Sequence, residues 1–222
     1  MATTAIHSSV APHPVNVHVE PQLDHRDRLS VGIRIVLALP HLILVGGPLF
    51  LGWSWSSREA AGGYEWSTGG GALGAVAVVI AIIAWFAILF TGTYPEGLRQ
   101  LAEYYLRWRV RAVAYLLLLR DEYPPFGEGR YPVTCEIAHV DGPRDRLAVG
   151  FRVILAIPHL VALWVLGIAV GVTTVVAWFA ILLTGRFPAQ LYTFAVGVLQ
   201  WTTRVEAWLL LLHDGSPPFA LH

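Results

Sequence analysis

The stretch Asp27-Arg28-Leu29-Ser30-Val31-Gly32-Ile33-Arg34-Ile35-Val36-Leu37-Ala38-Leu39-Pro40-His41-Leu42 is written twice. It returns 118 positions later as Asp145-Arg146-Leu147-Ala148-Val149-Gly150-Phe151-Arg152-Val153-Ile154-Leu155-Ala156-Ile157-Pro158-His159-Leu160. Each copy opens on a charged pair, runs into apolar sequence, carries one arginine inside the run and closes on Pro-His. The Asp-Arg pairs read as helix starts, with Asp accepting from backbone N–H groups.

Outside these stretches the composition points the same way. Of 222 residues, 55% are hydrophobic and only 14% charged, where soluble domains average about a quarter charged. The apolar excess lies in long runs, the signature of a membrane protein. The formal net charge is zero, so no global field recruits nucleic acid. All 15 basic residues are arginine, each able to fork onto phosphate or carboxylate. One cysteine, Cys135, excludes an internal disulfide. Residues 1–28 lack the basic and apolar regions of a signal peptide.

In chain order, residues 1–13 read as a flexible tail. Val15–Glu20 and Val133–Ile137 alternate apolar and polar, the period of a half-buried strand. They too are 118 positions apart, which suggests that they pair. Repeat one covers 14–126, with spans expected over about 29–51 and 72–91 and a glycine-rich, tryptophan-bearing tip between them. A helix over about 95–120 carries Glu96, Arg99, Glu103, Arg107 and Arg111 on one stripe. A charge at the bilayer centre costs about 2.5–3.5 kcal/mol, so this helix is expected to lie in the interface. After a linker at 127–131, repeat two covers 132–219. Its 37-residue apolar run, Leu147–Leu183, is read as spans over about 146–166 and 169–185 joined by a tight turn near Gly167–Gly171. A helix over about 188–213 follows, read as interfacial, with a span as the alternative because Arg204 and Glu206 are its only fixed charges.

Ala84-Trp85-Phe86-Ala87-Ile88-Leu89 returns as Ala177-Trp178-Phe179-Ala180-Ile181-Leu182 at an offset of 93, so repeat one holds 25 extra residues. The expected fold is therefore mainly α and integral to a membrane. It has two tandem repeats, each a short strand, a transmembrane hairpin and an amphipathic helix, four transmembrane helices in total. Twelve arginines lie away from the hairpin tips and only Arg58 on one, so the positive-inside rule puts both termini in the cytoplasm. Both copies then share one orientation, and their symmetry axis runs along the membrane normal.

The Arg-Leu…Arg…Pro-His-Leu run, Ala-Trp-Phe-Ala-Ile-Leu, Thr-Gly-x-[Tyr/Phe]-Pro and the closing Leu-Leu-Leu-Leu…Pro-Pro-Phe resemble the bacterial membrane family catalogued as domain of unknown function 4389. The resemblance spans about Pro14 to Phe219 as two tandem copies. Repeat two departs from repeat one where Ser216 replaces Tyr123 and where most helix charges are lost. The resemblance implies an actinobacterial-type protein of the inner (plasma) membrane, and brings no activity or catalytic residues.

Four residues form the leading candidate site: Arg34 with His41, and Arg152 with His159. Seven residues is near two helical turns, so each pair shares a face. Two such pairs around one axis would suit an anionic headgroup or a proton relay. The competing reading is structural: Arg34 snorkels to phosphate, and each His satisfies a carbonyl freed by Pro40 or Pro158, at Val36 or Ile154. Arg99, Arg107, Arg111 and Arg204 are candidate contacts for lipid phosphate or a protein partner. His13, His18, His25, Cys135 and His139 have no metal-site spacing, and Gly69–Gly71 lacks the Lys-Ser/Thr of a phosphate loop. No metal, cofactor or catalytic residue is assigned. The expectation is a non-enzymatic scaffold, accessory subunit or lipid-organising protein, its partners being lipids and either another protein or a second copy. The alternatives are a small transporter or channel, and a lipid-modifying enzyme at the cytoplasmic leaflet.

Overall fold

The computed structural model describes residues 13–47, 71–140, 142 and 144–221. The expected tail before His13 and most of the hairpin tip, Arg58 included, lie outside the described residues. The two strands pair as the alternation suggests. β1 (Val15–Val19) and β2 (Val133–Ile137) form an antiparallel ribbon. Its register pairs Val17 with Cys135, which are equivalent positions of the two repeats. Val15, Val17, Val19, Val133 and Cys135 face inward, while Asn16, His18, Thr134 and Glu136 face out.

Repeat two overturns the expected hairpin. Arg146–Thr184 is one unbroken helix of 39 residues, α5, and Gly167 and Gly171 lie inside it. Glycine within a helix costs only about 0.5–1 kcal/mol, and no polar or proline-containing turn sequence stands at these positions to end it. Repeat one carries the same helix in pieces: α1 (Arg28–Gly32), α2 (Arg34–Val45) and α3 (Gly71–Thr91). The expected span over 29–51 is thus corrected. Its main helix, α2, has 12 residues, about 18 Å, too short to cross hydrocarbon.

The pieces fit end to end. A Cβ built on Gly71 would stand 2.6 Å from the Gly46 nitrogen and 2.7 Å from the Leu44 carbonyl. At the offset of 118, Val45 corresponds to Leu163; at the offset of 93, Gly71 corresponds to Trp164. The 25 residues 46–70 are therefore an insertion into one long helix. The buried stripes agree. In α5 it is Val149, Arg152, Ala156, His159 and Leu163, then Val170, Thr173, Ala177 and Ile181. In repeat one it is Val31, Arg34, Ala38, His41 and Val45, then Ala77, Ile80, Ala84 and Ile88. Spacings of three and four put all of these on one side.

α4 (Glu96–Leu116) and α6 (Ala189–Leu209) are the helices expected in the interface. They are instead the interior. α4 packs on α2 and α3, α6 on α5, each against the other, and the ribbon covers both. An amphipathic helix needs cover for its apolar side, and here the ribbon and the long helices supply it. The copies interlock reciprocally. The Arg26 N–H donates to Gly185 O at 3.1 Å and the Arg144 N–H to Gly92 O at 3.0 Å. Trp85 Nε1 donates to Val149 O and Trp178 Nε1 to Val31 O, both at 3.0 Å.

Two helices, α3 and α5, are long and apolar enough to cross a membrane, with mean hydropathies of 2.9 and 2.5. Only 28% of each apolar window is buried, unlike a core helix of a soluble protein. Their outward flanks are apolar and exposed, the pattern that marks a membrane or protein contact. Excising residues 46–70, so that Val45 joins Gly71, is expected to give a monodisperse protein whose melting temperature in detergent stays within about 5 °C of the parent. An aggregated product would contradict the insertion.

Candidate functional site

The helix α4 ends in an abrupt turn at Leu118 and α6 ends likewise at Leu211, with φ of 61° and 63°. Leucine rarely adopts this left-handed conformation. The carbonyls exposed by each turn are taken up by two arginines from the start of the same repeat's long helix. In repeat one Arg26 donates to Leu118 O, and Arg34 to Tyr115 O at 3.1 Å and to Arg120 O. Asp121 joins them: Arg26 Nε and Nη2 reach its carboxylate at 3.0 and 2.8 Å, and Arg34 Nη2 at 2.8 Å. The Asp27 N–H and Gln22 Nε2 complete the set at 2.9 and 3.2 Å. The Arg34 guanidinium also lies 4.0 Å from the Tyr115 ring centre, a cation–π contact.

Repeat two builds the same clamp at the equivalent positions. Arg144 donates to Leu211 O, and Arg152 donates to Trp208 O and His213 O at 2.9 Å each. Asp214 receives Arg144 at 3.0 Å and Arg152 at 3.3 Å. Arg34 is 1% exposed and Arg152 likewise 1%, so neither snorkels to phosphate.

The histidines sit in aromatic boxes. His41 stacks on Phe126 with centroids 4.6 Å apart, and its Nδ1 accepts from Trp108 Nε1 at 3.1 Å. His159 stacks on Phe219 at 4.1 Å, with Trp201 and Trp208 edge-on. The carbonyls freed by the prolines are therefore not what His41 binds. The lost Tyr123 is compensated: Ser216 stands in its place and the larger Trp208, where repeat one has Tyr115, closes on His159. Each Arg–His pair thus makes its contacts within its own repeat. The two pairs do not form one shared central site.

The arginines expected to reach lipid or a partner are engaged internally. Arg99 bridges Glu96 and Glu103 at 3.3 and 2.8 Å, and Arg107 meets Glu103 at 2.9 Å. Arg111 donates to Gly127 O at 3.0 Å, and Arg204 is buried in α6. Acidic residues at three- and four-residue spacing on α4 supply these partners. Of the scattered histidines, His13 packs edge-on against His213, while Cys135 faces the interior with its thiol pushed by burial to about 12.

One buried pair was not singled out in the sequence. Arg109 Nε lies 2.9 Å from both carboxylate oxygens of Glu206, and its Nη1 donates to Val45 O. A cavity of about 20 Å³ adjoins it, lined by residues of α4, α6 and Val170 of α5, room for about one water. The pair has no counterpart: the equivalent positions are Thr202 and Val113. That mismatch at the 93-residue offset is the signal that finds it. It stands where repeat one, unlike repeat two, ends a helix, and Arg109 caps the Val45 carbonyl left there.

Burial by itself would raise the Asp121 carboxyl; the bonds from Arg26, the Asp27 N–H and Arg34 outweigh it and hold it low. Replacing Asp121 by Asn is expected to cost about 3–5 kcal/mol, since two buried guanidinium groups lose their counterion. Asp214→Asn is expected to cost less, having fewer donors to abandon; thermal unfolding of both variants in detergent checks the order. Arg109→Thr is expected to destabilise the parent by a similar amount when Glu206 is left unpaired. Arg109→Thr with Glu206→Val is expected to recover most of that loss once residues 46–70 are also excised, measured as a mutant cycle. Burial pushes His213 down to about 4. Between that value and about 6.5, the unfolded chain holds more protons than the folded one, so stability falls as pH falls through this window. His213→Gln is expected to remove up to about 3 kcal/mol of that dependence, read from unfolding midpoints at pH 7 and pH 4.5.

No curated protein and no solved structure matches the chain. The sequence profile of the domain of unknown function 4389 matches twice, over residues 70–127 and 146–220. The first match opens at the last residue of the insertion, next to α3, and the second opens at the intact α5. Together they cover more than half of the chain, and the protein belongs to the family of domain of unknown function 4389.

Proposed function

We propose that the protein is a non-enzymatic, lipid-embedded scaffold of a bacterial plasma membrane, with its ribbon and both termini on the cytoplasmic side. The observation that carries this reading is the use of its polar residues. Arg26, Arg34, Arg144 and Arg152 are spent on carbonyl groups and on Asp121 and Asp214. Buried guanidinium groups bound in this way fix a shape. What the surface offers is contact area of two kinds. Large apolar side chains stand exposed along α3 and α5, among them Phe90, Phe151, Trp164 and Leu183. Polar side chains stand exposed on the ribbon. Such a slab organises lipid on one face and docks a protein partner or second copy on the other. The arginine-rich side faces the cytoplasm under the positive-inside rule.

The transport alternative would draw on Arg109–Glu206 and the cavity beside it. Reconstitution decides between them. In liposomes of phosphatidylethanolamine and phosphatidylglycerol carrying a trapped pH dye, the scaffold is expected to leave the proton leak at the level of empty liposomes. A leak several-fold above that level, abolished by Glu206→Gln, would overturn the scaffold reading.

A further inference from the structure

We propose that α5 and its counterpart α1–α2–α3 lie in the plane of the membrane, sunk in one leaflet under a roof of α4, α6 and the ribbon. This rests on the membrane reading above and names the occupant of the apolar face: the acyl chains and phosphates of a single leaflet.

Both ends of α5 are polar. At its start Asp145 and Arg146 are exposed and Arg144 is clamped to Asp214. At its finish the Arg186–Asp24 ion pair is open to solvent, with side chains 75% and 58% exposed. Between these ends, exposed apolar side chains run the whole way, from Leu147 through Ile154, Val161, Ile168 and Val175 to Leu183. An unbroken helix of 39 residues measures about 58 Å, twice the hydrocarbon thickness. It either crosses at a steep tilt, with its ends at opposite surfaces, or lies flat.

The symmetry separates these. Arg26 and Arg144 bond the far helix ends at Gly185 and Gly92, and Trp85 and Trp178 bond Val149 and Val31. The two long helices therefore run antiparallel, and a two-fold that exchanges them is perpendicular to both. The same axis passes through the ribbon at the Val17–Cys135 pair, because equivalent positions pair there. A steeply tilted crossing would put this axis in the membrane plane and the ribbon at mid-depth. Asn16, His18, Thr134 and Glu136 face outward there, and polar groups cannot be left bare in hydrocarbon. The axis therefore follows the membrane normal and the long helices lie across it. One helix is about 10–12 Å thick, a fit to the roughly 15 Å of a single leaflet.

A helix this apolar has no polar side to turn toward water, so it lies flat only if protein covers it. The narrow buried stripe from Val149 to Ile181 is where α6 and its neighbours do so. At the two helix junctions Arg28 and Arg146 are exposed beside Leu29 and Leu147. Their guanidinium nitrogens lie 3.3 and 3.1 Å from where a Cβ on Gly185 and Gly92 would stand. Both arginines are placed at one depth, where phosphate is within their reach.

The test places a nitroxide on single cysteines at 154, 161, 168 and 175, in a Cys135→Ser background, in nanodiscs of phosphatidylethanolamine and phosphatidylglycerol. These positions share one helix face, and oxygen against nickel-chelate accessibility reads their depth. Equal depths within about 4 Å, all in one leaflet, are expected, against the 1.5 Å rise per residue of an upright helix. A hairpin would place 168 at the far surface with 154 and 175 near mid-bilayer, and a steep crossing would give a gradient of several ångströms per heptad, up to about 10 Å for an upright helix. Either result overturns the inference and leaves the membrane reading standing. Water-accessible labels at all four positions would overturn both. Should a labelled variant misfold, an impermeant maleimide on Ile168→Cys in intact spheroplasts repeats the test, since only the hairpin exposes that residue to the outer solution.

Discussion

A helix that ends inside a protein leaves carbonyl groups that must be bonded, and in this molecule that need falls twice on arginine. α4 and α6 stop at left-handed leucines deep in the structure. Water is not at hand to take their last carbonyls, so Arg26, Arg34, Arg144 and Arg152 do so. The same four guanidinium groups carry charge into a poorly polar region, which would be costly alone. Asp121 and Asp214 follow the turns, and each carboxylate pairs with both arginines of its repeat. One small constellation therefore caps a helix, holds a strained turn and fastens the long helix to the inner one.

The buried pair of Arg109 with Glu206, which the other copy lacks, obeys the same rule. Arg109 and Glu206 exist where an insertion has cut a helix open at Val45, and the uncut copy has Thr202 and Val113 in their places. The pair caps that chain end and adjoins a cavity. At that cut end the Val45 carbonyl is met by an arginine from the facing helix.

Much of this was legible in the residues. The duplication, the paired strands, the helix starts at Asp27 and Asp145 and the shared face of Arg34 with His41 all follow from spacing. The unbroken α5 did not, because Gly167 and Gly171 in a 37-residue apolar run look like a turn when two spans are being counted. Comparing the offsets more closely resolves it, since 46–70 drops out and leaves one continuous 3-and-4 stripe. The partners of the arginines were harder. Asp121 lies 87 positions from Arg34 and Asp214 lies 62 from Arg152, and no local period connects them. The charged stripe of α4 misled for a related reason: periodicity shows that charges share a side, and cannot show that the side is roofed by another element.

The interlocking contacts explain why two copies occur in one chain. A single repeat would own one strand without a partner, leaving its edge unpaired. It would also lack the tryptophan that bonds its long helix at Val31 or Val149 and the partner for the N–H that precedes the helix. Each of these is supplied by the other copy at the equivalent position, which is the geometry of an isologous dimer. Joining the two in one chain turns that association into an intramolecular event at high effective concentration. It also frees the copies to diverge, since a change in one is no longer imposed on the other. The insertion at 46–70, Arg109 with Glu206, and Trp208 in place of Tyr115 are changes of that kind, and none falls on the tryptophan, strand or helix-end contacts that lock the copies together.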